Sequence, residues 1–127
     1  MEFPDDRRYT KEHEWVKLED DGTVLIGITD FAQGELGDVV FVELEEEGSE
    51  LAAADVFGTV EAVKTVSDLF MPIAGKIAAI NEALESTPEV LNDSPYEKGW
   101  LVRVMPADLS SIDELLTAAE YADMVGA

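Results

Sequence analysis

No apolar run in this chain goes far before glycine, proline, asparagine or a cluster of acids stops it, and this punctuation restricts the fold to short strands joined by tight turns. Residues 10–18 and 23–28 read as two strands linked by Glu19-Asp20-Asp21-Gly22, whose glycine supplies a positive φ. Asp30 stands as a helix N-cap, 31–36 make a short helix, and Gly37 stops it. In 38–44 the apolar residues Val39, Val40, Phe41, Val42 and Leu44 are nearly continuous, a pattern that can be buried on both faces. Val56, Phe57, Val60 and Val63, then Val66, Leu69, Phe70 and Ile73, favour two further strands with Lys64 and Thr65 at the bend between them. Another strand covers 75–80. Residues 81–86 turn, 88–91 start a helical turn that Asn92-Asp93-Ser94-Pro95 breaks, and 100–104 return as a strand. Many short strands with frequent turns indicate a β sandwich or barrel. Ser111 to Glu114 and Thr117 to Glu120 each match a capping box, so two short helices are expected to close the chain over one end of the β core.

At 127 residues, with no linker and no repeat, the chain reads as one domain able to bury about two thirds of its unfolded surface. It has no cysteine, which excludes disulfides, iron–sulfur clusters and thiolate zinc sites. His13 is the single histidine, so a multi-histidine metal centre is excluded and a Ser-His-Asp hydrolase disfavoured. Any redox role therefore needs a cofactor. Twenty-nine acids against eight basic residues give a net charge of −21, which argues against nucleic acid and anionic membranes as partners. The same charge suits salty surroundings, where screening is strong. The short apolar runs and acidic start point to a soluble, cytoplasmic protein.

Lys64 is one of five lysines in this acidic chain. On pattern alone it is either a solvated turn charge or a tether, since its four-carbon stem holds an amine well clear of the backbone. The order Glu61, Lys64, Ser67-Asp68, Pro72, Gly75 resembles the attachment segment of lipoyl carrier proteins. Within that class, YTKEHEWVK at 9–17, GITDFAQGELGDVVFVELEEEG at 27–48 and NEALESTPEVLNDSPYEKGW at 81–100 resemble the H protein of the glycine cleavage system. The likeness spans 9–121, nearly the whole chain. Val63-Lys64-Thr65 lacks the Met-Lys-Met flank of biotin carriers, which makes biotin the weaker choice.

The resemblance implies a mainly β barrel-sandwich hybrid with short flanking helices and a C-terminal helical pair. Residues 1–127 would form a single lipoyl-carrier domain, with the β core over about 9–105 and the C-terminal helices over about 110–125. It implies lipoate on Lys64, and a carrier rather than an enzyme. The implied partners are glycine decarboxylase (P protein), the aminomethyltransferase (T protein), dihydrolipoyl dehydrogenase (L protein) and lipoate-attaching enzymes, with the carrier a monomer. Glu61, Ser67 and Gly75 would support the attachment motif. Glu14 and Asp68, with Glu12 as a third, would hold the cationic aminomethyl arm. Read without the resemblance, Glu12 and Glu14 are exposed strand carboxylates, Asp68 stabilises a turn, and His13 is a half-exposed strand histidine. Trp15, Phe41, Tyr96 and Trp100 read as core or near-core packing. Met71 and Glu12 depart from common family usage, which bears on the shape of the arm's cleft. Two other readings stand beside this one: a lipoyl relay protein serving other complexes, and an acidic interaction domain with no cofactor.

Overall fold

β-branched and aromatic runs become strands wherever they stood between turn residues, in a computed structural model that describes residues 2–126. In chain order the elements are β1 (Arg8–Tyr9), β2 (Glu14–Leu18), β3 (Val24–Ile28), α1 (Asp30–Leu36), β4 (Val39–Leu44), β5 (Glu50–Leu51), β6 (Val56–Ala62), β7 (Val66–Phe70) and β8 (Gly75–Ile80). Then come α2 (Ala83–Ser86), α3 (Val90–Asp93), β9 (Val102–Pro106), a 3-10 helix (Leu109–Glu114) and α4 (Ala118–Val125). The strands form two antiparallel sheets, β1-β2-β3-β9-β8-β5 and β4-β6-β7. They are not closed into one barrel; the arrangement is a sandwich.

Strand periodicity places Val16, Val24, Ile26, Val102 and Val104 of the larger sheet in one buried cluster with Val42, Phe57, Val60 and Leu69 of the smaller. Trp15, the neighbour of Val16, points the other way. It forms a second cluster with Tyr9 and Tyr121, so β2 is buried on both faces. Tyr121 comes from α4, whose start is a complete capping box of Thr117 and Glu120. The Trp15 indole lies across Gly27 on the paired strand: a methyl group there would stand 2.5 Å from Cζ2. Its Nε1–H donates to the Pro95 carbonyl at 2.9 Å, and the Arg7 guanidinium sits 4.7 Å above the ring.

Several expectations change. Strand β2 begins at Glu14 and not at residue 10, because 10–13 turn tightly, with His13 at φ 67. Strand β4 is not buried on both faces: it lies at the edge of the small sheet, and Phe41 is 51 % exposed and outside the core. The N-cap of α1 is Thr29, whose hydroxyl accepts the Ala32 N–H; Asp30 is the first helical residue. Ser111 is no cap either. It falls inside the 3-10 helix, which Asp108 caps through the Ser110 N–H. Part of the stretch read as a turn at 81–86 is the single helical turn α2.

Candidate functional site

Hairpin β6–β7 carries Lys64 at its bend. Pairing runs from Val60↔Ser67 to Glu61↔Val66, and the Ala62 N–H then donates to the Thr65 carbonyl at 2.7 Å. The bend holds no residue with a positive φ, which is why it needs no glycine. A second bond fixes it from outside: the Val63 N–H donates to the Asp38 carbonyl at 3.0 Å. Val63 and Val66, which favoured strand by type, are 75 % and 60 % exposed on either side of the exposed lysine. The Lys64 stem lies back over Gly37, the residue that ends α1 at φ 79. A methyl group on Gly37 would stand 3.0 Å from Lys64 Cε and 3.7 Å from Cδ.

Beside the bend, between α1 and β7, is a cavity of about 260 Å³ lined by Glu12, His13, Glu35, Thr65, Ser67 and Asp68, among others. A larger, mainly apolar cavity of about 500 Å³ adjoins it through Glu12 and reaches Glu14, Phe70, Met71 and Leu116. Asp68 and Glu12 thus share the cavity next to Lys64, whereas Glu14 belongs to the adjoining one.

Glu14 is no exposed strand carboxylate. It is 2 % exposed; one carboxyl oxygen accepts the Phe70 N–H at 2.7 Å, and the other is buried with no partner among the described residues. Burial pushes its pKa up to about 8, against the opposing pull of the Phe70 N–H. Asp68 and Glu12 are exposed, Glu12 in the turn before β2 and not on a strand.

The support residues separate. Glu61 stands opposite Val66 and Phe41 on the outer face of the small sheet, and Ser67 is exposed, its hydroxyl donating a long 3.4 Å bond to the Asp68 carbonyl. Gly75 lies in the other sheet and lines neither of these cavities. A methyl group there would stand 2.5 Å from Val104 Cγ1 and 2.7 Å from the Met105 carbonyl oxygen, so its close backbone approach is to β9.

His13 is a turn residue. Its Nδ1 bonds the Tyr121 hydroxyl at 2.8 Å, which in turn bonds the Thr29 hydroxyl at 2.8 Å. Burial lowers the imidazole's pKa, with Glu12 and Glu35 pulling the other way. Sequence reasoning missed this link, and it missed Gly37 and Asn92 as neighbours of the lysine's platform. Gly37 was legible only as a helix stop, and nothing in the sequence brings 92 beside 37.

A two-sheet β sandwich that presents a lysine on an exposed hairpin bend defines a carrier domain of the lipoyl type. The family model described as "Glycine cleavage H-protein" matches residues 7–127. The glycine cleavage system H protein of Chlorobium phaeobacteroides is 61 % identical over 128 residues, all of both chains. That of Anoxybacillus flavithermus is 56 % identical over 98 % of each chain. Among solved structures, the glycine cleavage system H protein of Mycobacterium marinum superposes with a TM-score of 0.91 at 43 % identity, covering 98 % of this chain and 100 % of that one. This chain belongs to the glycine cleavage H-protein family, the lipoyl carriers of the glycine cleavage system. It is a carrier component and not itself an enzyme, and the family bears lipoate covalently on a lysine. The cofactor-free reading is thereby set aside.

Proposed function

We propose that Lys64 is the lipoyl-bearing residue of a single carrier domain, residues 1–127, that moves the aminomethyl group of glycine between enzymes. The observation that carries this reading is the placement of Lys64: an exposed amine at a bend pinned to Asp38, over a glycine and beside a cavity with three carboxylates, Glu12, Glu35 and Asp68. The residues present fit the group. The stem is free to be extended, and Glu14, buried with one oxygen unpartnered among the described residues, lines the larger cavity as a carboxyl group whose proton a cation would displace. Lipoate, once attached, supplies a disulfide that accepts the aminomethyl unit and is restored by oxidation of the dithiol. The unit comes from the pyridoxal-phosphate decarboxylase (P protein) and goes to the tetrahydrofolate-dependent aminomethyltransferase (T protein), while dihydrolipoyl dehydrogenase (L protein) restores the disulfide.

The protein's own part is electrostatic and steric. Asp68 and Glu12 would hold the cationic end of the arm near the bend, and Glu14, protonated at neutral pH with its pKa pushed up to about 8, would meet it in the adjoining, mainly apolar cavity by giving that proton up. Glu61, Ser67 and Gly75 shape the hairpin and sheet that the lipoate-attaching enzyme reads. A net charge of −21 keeps copies apart, which supports a monomer, and no helix among the described residues is long and apolar enough to cross a membrane, in keeping with a cytoplasmic carrier.

Peptide mapping after treatment with a lipoate ligase tests the assignment: the added mass falls on Lys64 alone, and Lys64→Arg melts as wild type but is inert in the glycine cleavage assay. Modification on Lys76 or Lys98 instead would overturn it.

A further inference from the structure

The sequence reads Asn92 to Pro95 as the break after a helical turn and Tyr96 as packing; Asn92 and Asp93 instead lie within α3, and the segment 91–96 holds both ends of α1. At the start of the helix, the Tyr96 hydroxyl accepts the Asp30 N–H at 2.9 Å. At its end, the Asn92 side chain makes three bonds. Its Oδ1 accepts the Val39 N–H at 2.9 Å, and its Nδ2 donates to the Gly37 carbonyl at 2.8 Å and to Gln33 Oε1 at 3.1 Å. Both amide protons and the carbonyl oxygen are therefore used.

The 37–39 turn that the Asn92 bonds fix lies under the lysine. Gly37 carries the Lys64 stem, Asp38 accepts the Val63 N–H of the bend, and Val39 pairs with Ala62 at the end of β6. Gly37 has a positive φ, so the turn has little intrinsic preference to hold it once a partner is removed. Asn92 itself is half-buried and follows Leu91, which is fully buried, so its backbone is set by the core.

We propose that Asn92 is the positioning residue for the attachment lysine. By pinning the 37–39 turn, it fixes the bend through Val63 and sets the direction in which the Lys64 amine leaves the surface. This rests on the reading of Lys64 as the lipoyl-bearing residue. An amine must enter the attaching enzyme's site on a stem of four carbons, so a small displacement of the bend is felt at the reacting nitrogen.

The test uses the full-length unmodified protein with a lipoate ligase, lipoate and ATP. Asn92→Asp keeps the size and the acceptor for the Val39 N–H, but removes both donors and sets a carboxylate against the Gly37 carbonyl. Its kcat for attachment falls about tenfold with the KM for the carrier within about twofold, and the NOE between the Gly37 α protons and the Lys64 ε protons is lost. Asn81→Asp is the matched control, because Asn81 also donates two bonds, to the Lys98 and Trp100 carbonyls, away from the hairpin. It lowers the melting midpoint but leaves kcat and the NOE unchanged. Mapping the product separates the two claims. Wild-type modification at another lysine defeats the Lys64 assignment. Modification at Lys64 with an Asn92→Asp kcat within twofold of wild type, or an equal loss of kcat in Asn81→Asp, defeats the role of Asn92. If Asn92→Asp does not fold, Gly37→Ala decides: the methyl displaces the Lys64 stem, and an unaltered kcat in a folded Gly37→Ala protein overturns the proposal.

Discussion

Glu14, on the large sheet, accepts the Phe70 N–H of the small sheet at 2.7 Å, so a single buried carboxyl group bridges the two layers. Its second oxygen finds no partner among the described residues, and burial raises its pKa from 4.5 to about 8. The folded protein therefore keeps a proton that the unfolded chain has already released. Stability from this group falls as pH rises from about 4.5 to about 8, and levels off above that.

Glu14→Gln removes the titration while keeping a carbonyl acceptor for Phe70. The variant's unfolding free energy should gain on wild type steadily between pH 5 and pH 8, by on the order of a few kcal/mol at the top of the range. Parallel pH curves for the two proteins would show that Glu14 does not titrate in this window.

The same group should govern retention of the loaded arm. In the aminomethyl-loaded protein, Asp68→Asn or Glu12→Gln should speed spontaneous ammonia loss by a few-fold at most, because both side chains are exposed and screened. Glu14→Gln should speed it more, since Glu14 is buried at the wall of the larger cavity and can answer a cation by giving up its proton, which glutamine cannot. Equal release rates for wild type and the triple variant would leave shape alone to shield the arm.

Added sodium chloride should raise the melting midpoint. Against a net charge of −21 the described residues make three ion pairs, two on Asp6 (to Arg7 and Lys17) and one between Asp21 and Arg103, so screening relieves more repulsion than it weakens attraction. A midpoint that is flat or falls across a salt series would contradict this.

Two glycines should respond with opposite sign. Gly27→Ala drives a methyl into the Trp15 ring and should cost about 1–3 kcal/mol. Gly34→Ala, in the middle of α1 with nothing within 4 Å of the new methyl, should gain about 0.5–1 kcal/mol. Denaturant unfolding of the two variants checks both, and a shift of the same sign in each would break the argument.

What the sequence made legible depended on range. The Lys64 bend, the Gly22 turn, the stop at Gly37 and the Thr117–Glu120 cap are written in neighbouring residues, and the structure has all of them. Phe41 was misjudged because apolar type says nothing about which strand becomes an edge. The reading of Glu14 as an exposed strand carboxylate, made without the resemblance, fails because a carboxylate on a strand is exposed unless the other side is also covered, and the cover comes from residues far along the chain. Asn92 shows the same limit: its sequence context marks a helix end, while its partners lie more than fifty positions away.

The Tyr121 hydroxyl, placed between His13 and Thr29, has a consequence for how the molecule breathes. The last helix, the turn before Glu14 and the cap of the helix under Lys64 should open as one cooperative unit, because α4 cannot lose Tyr121 without stripping a hydrogen bond from each of the other two. Amide exchange at Thr29, whose N–H is given to the His13 carbonyl at 3.1 Å, should keep pace with that of Tyr121. The C-terminal helix is thus tied to the turn and the helix beside Lys64, and trimming it should loosen a region encoded more than fifty residues earlier.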